Sequence, residues 1–243
     1  MLAGAVLTLI TGQISPYDAI LAINPGVMLF LFGMFIVGEG VKNSGLLEDC
    51  ITWICRHASS GTMLLVLIIG TMGLLSAVLM NDTIAIIGAP LILILAGRLG
   101  VSKPGAMIAL CFSVTTGSVF SPIGNPQNYL IASYVPDLSP YLLFFSGIFI
   151  PTLLSLGVIF LFLRPLFREV SNPAEGCRFG EISPDTKPWP MYLSFLCIFT
   201  GIGLQIISGL FQMGWAVPIE WIAITAAIPV LVFSKERIRL LRN

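Results

Sequence analysis

The sequence predicts an all-α polytopic membrane protein, and three observations support this fold class. Hydrophobic residues make up 56% of the chain and charged residues 10%, whereas about a quarter of the residues are charged in a soluble domain. Apolar stretches long enough to cross a bilayer recur from residue 25 to residue 233. Two polar, helix-breaking segments interrupt them, at residues 80–83 (MNDT) and 121–128 (SPIGNPQN).

The same composition argues against several classes of function. Twelve Lys and Arg balance twelve Asp and Glu, and no basic patch with interleaved aromatic residues predicts a nucleic-acid partner. One histidine and five cysteines without a CxxC pair give no metal-centre motif, and we expect no cofactor. An intramembrane hydrolase needs a Ser/His, HExxH or paired-Asp arrangement, and the sequence has none, so we do not expect an enzyme.

The elements are assigned in chain order. Residues 2–12 are apolar but shorter than the roughly twenty residues of a span, so we interpret them as the end of a membrane helix whose beginning is missing. Residues 13–24 read as a loop. Residues 25–41 form a span, and residues 46–57, with acidic and basic residues among apolar ones, are typical of an interfacial amphipathic helix.

Residues 61–99 allow two interpretations. Two apolar arms flank the MNDT segment, and each is about long enough to span. The segment is therefore either an outer turn between two full spans or the buried tip of a re-entrant hairpin. We favour the buried tip, because MNDT has no lysine, glycine or proline to make a hydrated turn, and Ser76 precedes it.

The rest of the chain is predicted to contain a broken helix, three spans, a polar loop and a basic tail. Residues 104–134 are predicted to be one broken helix, interrupted at 121–128. Residues 140–163 form a long span, 164–190 a polar loop, and 191–211 and 218–233 two further spans before a basic tail at 235–243. Glu39 lies three residues from Lys42 and is expected either to snorkel or to pair at the interface, and Glu220 is expected to do the same on the opposite side.

The cations predict the orientation of the chain. With these spans, all twelve lie on one side: Lys42, Arg56, Arg98, Lys103, Arg164, Arg168, Arg178, Lys187, Lys235, Arg237, Arg239 and Arg242. The opposite loops, 13–24, 135–139 and 212–217, carry none. Because Lys and Arg accumulate in cytoplasmic loops, we expect the basic side to face the cytoplasm, with the chain in a plasma (inner) membrane and the lipid bilayer as its first partner.

The first break has the chemistry of an ion site. A helix that ends near Met80 leaves carbonyl groups without partners, which suits a cation, and Asn81 adds a side-chain carbonyl. Asp82, with Thr83, is expected to cap the following arm. Because an ionisable group at membrane depth predicts function, Asp82 is a candidate to hold a cation or to exchange a proton for it. The alternative is a plain N-cap in an outer loop.

The second break combines loosening and capping residues. Gly117 and Ser118 loosen the first half-helix, Pro122 favours an extended residue before it, and Gly124 permits close approach of the backbone to an ion.

Asn125 followed by Pro126 predicts an N-cap and first helical residue. The second half-helix then points its positive end into the break, and Asn128 adds an amide there. Together with the start of the 83–99 arm, this makes two helix N-termini able to hold an anion. The alternative is a proline kink with local packing. The candidate ion- or substrate-binding residues are Ser76, Asn81, Asp82, Thr83, Gly117, Ser118, Ser121, Gly124, Asn125 and Asn128.

These segments resemble the ion transporter superfamily. The resemblance lies in INPGVMLFLFGMFIVGEGVKNSGLL, SAVLMNDTIAIIGAPLIL and TTGSVFSPIGNPQNYLIAS, of which Pro-Ile-Gly-Asn-Pro-Gln-Asn is the most specific part. The superfamily includes citrate and dicarboxylate transporters, the arsenite efflux permease and one class of sodium–proton antiporters. The resemblance covers essentially the whole chain, but only the first part of a family member.

The resemblance implies an architecture and a site. Family members have two inverted repeats, each with a re-entrant hairpin and a broken helix. In the sodium-coupled dicarboxylate branch the hairpin tip carries Ser-Asn-Thr, which implies a sodium site of Ser76, Asn81 and the Gly124 carbonyl here. Met80 and Asp82 replace the serine and the threonine, so the tip is closer to the arsenite and antiporter branches, and the substrate stays open.

The resemblance also implies a division of the chain. Residues 1–163 correspond to the first repeat, 164–190 to a cytoplasmic loop and 191–243 to the first helices of an incomplete second repeat. We therefore expect a fragment of a transporter, or a half that needs a partner chain. Since family members are commonly homodimers, the implied protein partners are the missing half or a second copy.

The predicted function is secondary active transport of a small anion or inorganic ion by alternating access, coupled to sodium or protons. One alternative is a membrane scaffold or inactive half-protein without transport of its own. A channel is another, and it would give a flux that does not saturate.

Overall fold

The computed structural model describes residues 2–134, 139–167, 188–213, 215 and 217–233. Within these residues all regular secondary structure is helical, and the predicted all-α class is confirmed. The basic tail at 235–243, most of the predicted loop at 164–190 and most of that at 135–139 lie outside the described residues, as do these cations: Arg168, Arg178, Lys187, Lys235, Arg237, Arg239 and Arg242.

The described helices, in chain order, are α1 Leu2–Ile10, α2 Pro16–Leu21, α3 Pro25–Ser44, α4 Leu46–His57, α5 Gly61–Leu79, α6 Asn81–Leu99, α7 Lys103–Gly117, α8 Pro126–Ser133, α9 Pro140–Leu163, α10 Trp189–Leu210 and α11 Ile219–Phe233, with a 3₁₀ turn at Arg164–Phe167. Five of them are long and apolar enough to cross a membrane: α3, α5, α6, α9 together with its 3₁₀ turn, and α10. The chain is therefore a polytopic integral membrane protein.

The helix starts follow from local capping chemistry. Asn24 Oδ1 accepts hydrogen bonds from the backbone N–H groups of Gly26 and Val27, so α3 begins at Pro25. The predicted loop at 13–24 contains the short helix α2, because Ser15 Oγ accepts from the Asp18 N–H and Pro16 occupies the first helical position. The predicted loop at 13–24 is therefore wrong at residues 16–21, although the capping signal is visible in the sequence.

The amphipathic helix α4 has the predicted bounds. Its buried face consists of Leu47, Ile51, Ile54 and Cys55, and it packs against α5 and α6. Gly45, with φ 74°, lets the chain turn directly from α3 into α4. The arrangement places α4 beside the hairpin arms that carry the first break.

Close helix contacts show that α3 and α11 run in the same direction. Gly33 lies against the backbone of Ala223, where a Cβ would come within 2.7 Å of the carbonyl oxygen, and Gly40 lies against Val230. The contact advances by seven residues along α3, from Gly33 to Gly40, and by seven along α11, from Ala223 to Val230, so the two helices are parallel. α10 runs antiparallel to α11, since the rings of Trp189 and Phe233 meet at 4.5 Å.

A second set of contacts brings three of the described cations to one end of the bundle. Leu166, which follows Arg164, lies against Gly105 at the start of α7, and Gly97 lies against the side chain of Lys103. Arg98 is adjacent to Gly97 in the chain. At the opposite end, Ser139 before α9 lies against Gly209 near the end of α10. The order of helix directions agrees with the predicted topology.

Candidate functional site

The first break is a junction of one residue. α5 ends at Leu79 and α6 begins at Asn81, so Met80 alone separates two helices of 19 residues each. Met80 has φ 69° and ψ 139° and is completely buried. A side chain in this backbone region costs about 1–3 kcal/mol and persists only where the surrounding structure imposes it.

The predicted capping of α6 by Asp82 and Thr83 is wrong, because α6 has no side-chain cap hydrogen bond. The helix already begins at Asn81, so Asp82 lies inside the first turn rather than before it. Asn81 Oδ1 accepts from the Asp82 backbone N–H at 2.8 Å, and the Asp82 residue is exposed. Thr83 is buried against α3, where a Cβ on Gly38 would come within 2.8 Å of its side chain.

The second break lies between Gly117 and Pro126 and contains its own turn. The Ser121 N–H donates to the Ser118 carbonyl at 3.3 Å, and the Gly124 N–H donates to the Ser121 carbonyl at 3.1 Å. A Cβ on Gly124 would lie 2.1 Å from the Ser118 carbonyl oxygen. The close approach that the sequence predicts for Gly124 therefore involves the protein's own backbone.

Two asparagines join the halves of the broken helix. Asn125 Oδ1 accepts from the Asn128 N–H at 2.7 Å, which confirms the predicted N-cap and the start of α8 at Pro126. Asn128 Nδ2 donates to the carbonyls of Ser118, Val119 and Ser121 at 3.1, 3.0 and 2.9 Å. The sequence assigns the Asn128 amide to a ligand, but its hydrogens instead bond backbone carbonyls in the segment that follows α7.

The two breaks contact each other directly. The Asn81 N–H donates to the Gly124 carbonyl at 2.9 Å, which gives a partner to the first N–H of α6. Nearby, α5 and α7 cross at Gly73 and Gly117, where a Cβ on Gly117 would lie 2.4 Å from the Gly73 Cα. The structure therefore brings together segments that are far apart in sequence.

Ser76 lies on the same side of α5 as this crossing, one turn beyond it. Its hydroxyl is completely buried and donates to the Gly73 carbonyl at 2.8 Å. Within the described part of the chain, no hydrogen bond joins the Ser76 side chain to Asn81 or Gly124. Of the three residues of the predicted sodium site, the structure thus joins Asn81 to Gly124 by a hydrogen bond, whereas the Ser76 side chain bonds within its own helix.

The contact between Thr83 and Gly38 fixes the level of the first break along α3. At 1.5 Å per residue, Gly38 lies about 20 Å from Pro25 in a helix about 30 Å long. The junction at Met80 therefore packs well inside the length of α3, away from the end at which α3 begins.

Sequence reasoning missed a link between α8 and α11. The Tyr129 hydroxyl donates to Glu220 Oε2 at 3.0 Å, and the Tyr129 ring stacks on Phe30 at 4.7 Å. The sequence predicts only that Glu220 lies at the interface and does not predict its bond to Tyr129. No local signal pairs residues 91 positions apart. The expected pairing of Glu39 with Lys42 is confirmed at 3.3 Å.

Sequence comparison shows that the chain is similar to known transporters. The sequence model of the citrate transporter family matches residues 1–240. The chain is 31% identical over 185 residues to the silicon efflux transporter LSI3 of Oryza sativa, covering 76% of this chain and 36% of that protein. It is 26% identical over 133 residues to the Dictyostelium discoideum protein named "Putative transporter arsB", covering 54% of this chain and 23% of that protein. It is also 28% identical over 127 residues to the Escherichia coli inner membrane protein YbiR, covering 49% of this chain and 34% of that protein.

The matched part of the chain thus spans about a third or less of the length of these relatives. No solved structure gives a significant match.

Proposed function

Since the chain belongs to the citrate transporter family, we propose that it forms part of a secondary active transporter for a small anion or inorganic ion. The hydrogen bond from the Asn81 N–H to the Gly124 carbonyl carries this proposal. It joins two helix breaks inside apolar sequence, where irregular backbone is tolerated only if it is buried in protein or lines a cavity. Secondary transporters bind substrate and coupling ion at such discontinuous helices.

The junction offers binding groups of both signs. Helices α6 and α8 begin at Asn81 and Pro126, and the partial positive charge at each N-terminus favours an anionic group. The carbonyl groups at the end of α5, together with the Gly124 carbonyl, favour a cation. An anion and its coupling cation would therefore bind side by side where the breaks meet.

We assign the coupling cation to the neighbourhood of Ser76, Asn81 and Gly124. The Gly124 carbonyl has two lone pairs, so it can accept from the Asn81 N–H and still face a sodium ion. Among the described residues no group of three or more His, Cys, Asp and Glu could hold a metal ion, so such a cation would bind hydroxyl, amide and carbonyl oxygens. Asp82, exposed beside the junction, is the candidate for proton coupling.

The depth of the junction supports the re-entrant interpretation of residues 61–99. An outer turn would lie level with the start of α3, whereas Thr83 packs about 20 Å along α3 from Pro25. We extend the proposal to orientation: the end with Arg98, Lys103 and Arg164 faces the cytoplasm of a plasma (inner) membrane. The missing half of a longer protein, or a second copy, would complete the site.

Transport by the full-length protein that contains this chain tests the proposal. We would reconstitute it in proteoliposomes and measure uptake of citrate and of silicic acid under an imposed sodium or proton gradient. A flux that saturates with substrate and depends on one gradient is expected. Flux that does not saturate would indicate a channel, and no flux for any small anion or inorganic ion would favour a scaffold.

Two charge-removing variants test the assignment of the site. Asp82→Asn is expected to lower gradient-driven transport at least about tenfold, because it removes the ionisable group beside the junction. Asp18→Asn removes the same charge from the exposed helix α2 and should leave transport unchanged. Equal rates for the two variants would show that Asp82 has no role in coupling.

A further inference from the structure

The broken helix is held at its second half by three contacts around one tyrosine. Tyr129 of α8 stacks on Phe30 of α3 and donates its hydroxyl hydrogen to Glu220 of α11. A Cβ on Gly26 would lie 2.4 Å from the same hydroxyl oxygen, so only glycine leaves room for it there. We call Tyr129, Phe30, Glu220 and Gly26 the Tyr129 clasp.

The clasp matters because α8 cannot hold its own position. It has eight residues, and an isolated helix of that length is not stable without tertiary contacts. Tyr129 is buried and directly follows Asn128, whose amide bonds the carbonyls of Ser118, Val119 and Ser121. A shift of Tyr129 would therefore move the residue that closes the second break.

The carboxylate of Glu220 is suited to this role. It lies in the first turn of α11, where the helix dipole favours a negative charge, and a phenol hydrogen bond to a carboxylate is stronger than one between neutral groups. The ion pair Lys42–Glu39 lies on α3, and among the described residues no cation pairs with Glu220. Glu220 is thus held by the Tyr129 hydroxyl rather than by a cation.

We propose that Tyr129 and Glu220 are positioning residues that hold α8, and with it Asn125 and Asn128, at the geometry that the transport site requires. This inference rests on the proposed transport function. It adds a mechanical link from the broken helix to the parallel pair α3 and α11. In the described part of the chain, neither Tyr129 nor Glu220 forms a hydrogen bond with Asn81 or Gly124, the two residues that join the breaks.

The test compares substrate affinity among variants of the full-length transporter in proteoliposomes. Tyr129→Phe and Glu220→Ala each remove the hydrogen bond and should raise the KM for transport about tenfold, in the range of one charged hydrogen bond, with the maximal rate per molecule changed less than about threefold. Glu220→Gln keeps an acceptor oxygen and should stay within about threefold of the unchanged protein. The double variant Tyr129→Phe, Glu220→Ala should have the same KM as either single variant.

Tyr134→Phe supplies the matched control, because it makes the same change at the exposed end of α8. An unchanged KM in Tyr129→Phe, or multiplied effects in the double variant, would overturn the inference while leaving the proposed function intact. If Tyr129→Phe fails to fold, the KM of Glu220→Ala is compared with that of Glu220→Gln. Equal KM values for these two variants would refute the positioning role. An unmodified protein without saturable transport would overturn the proposed function and this inference together.

Discussion

The two helix breaks differ in how they provide hydrogen-bond partners for their free backbone groups. The second break spans several residues and satisfies its backbone internally, through the turn from Ser118 to Gly124 and the side chains of Asn125 and Asn128. The first break consists of Met80 alone, has no side-chain cap, and relies on the Gly124 carbonyl for the first N–H of α6. The second break satisfies its own backbone groups, and the first depends on the second for one of its hydrogen bonds.

This asymmetry indicates how the site is built. Unpaired backbone groups at membrane depth are costly, so a bare junction at Met80 is stable only where a neighbour supplies a partner. The Gly124 carbonyl is that partner. Loss of the second break should therefore disturb both, whereas a change at the first should remain local.

Gly124→Ala is expected to have the largest effect. The new Cβ would lie 2.1 Å from the Ser118 carbonyl oxygen, so the backbone that carries the Gly124 carbonyl must move, and the bond to Asn81 moves with it. We expect the free energy of unfolding to fall by about 4 kcal/mol or more, with loss of transport. Thermal unfolding of the purified full-length protein measures this change in stability.

Gly147→Ala is the control for Gly124→Ala, because a Cβ on Gly147 of α9 meets nothing within 4 Å. It should be at least as stable as the unmodified protein, with a gain of up to about 1 kcal/mol, because alanine is the better helix former. A Gly124→Ala protein of normal stability would show that the second break does not support the first.

Asn128→Asp should have the next largest effect, and it acts within the second break. The change replaces an NH₂ group that donates to three carbonyls by an oxygen that repels them. We expect a loss of about 2–3 kcal/mol in the free energy of unfolding. Gln127→Glu makes the same amide-to-acid change at the adjacent, exposed position and should be nearly neutral; equal losses in the two variants would contradict a clamping role for Asn128.

Much of the fold could be predicted from composition and local signals. The spans, the amphipathic helix α4 and the N-cap at Asn125 each follow from hydrophobic length or from a capping residue next to a proline. The helix α2 was missed although Ser15 and Pro16 carry the same signal, because the surrounding sequence was read as a loop.

The site was harder to predict, because its decisive contacts are long-range. The structure joins Asn81 of the first break to Gly124 of the second, yet the cap expected of Asp82 is absent and Asn128 bonds backbone carbonyls. The bond from Tyr129 to Glu220 depends on how α8 and α11 pack, which no periodicity encodes. The positive φ of Met80 had no signal either, since glycine is the residue expected there.

Met80 itself provides the smallest and most local test of the comparison. Met80→Ala and Met80→Gly both remove the buried side chain, but only glycine adopts φ 69° without strain. If the first break is held in a strained conformation by its neighbour, the glycine variant should be more stable than the alanine variant by about 1 kcal/mol. In an unstrained helix interior, alanine would be the more stable of the two by a similar amount. The sign of the difference in unfolding free energy therefore tells whether the folded protein holds residue 80 at φ 69° against its own preference. A more stable alanine variant would show that the first break carries no such strain.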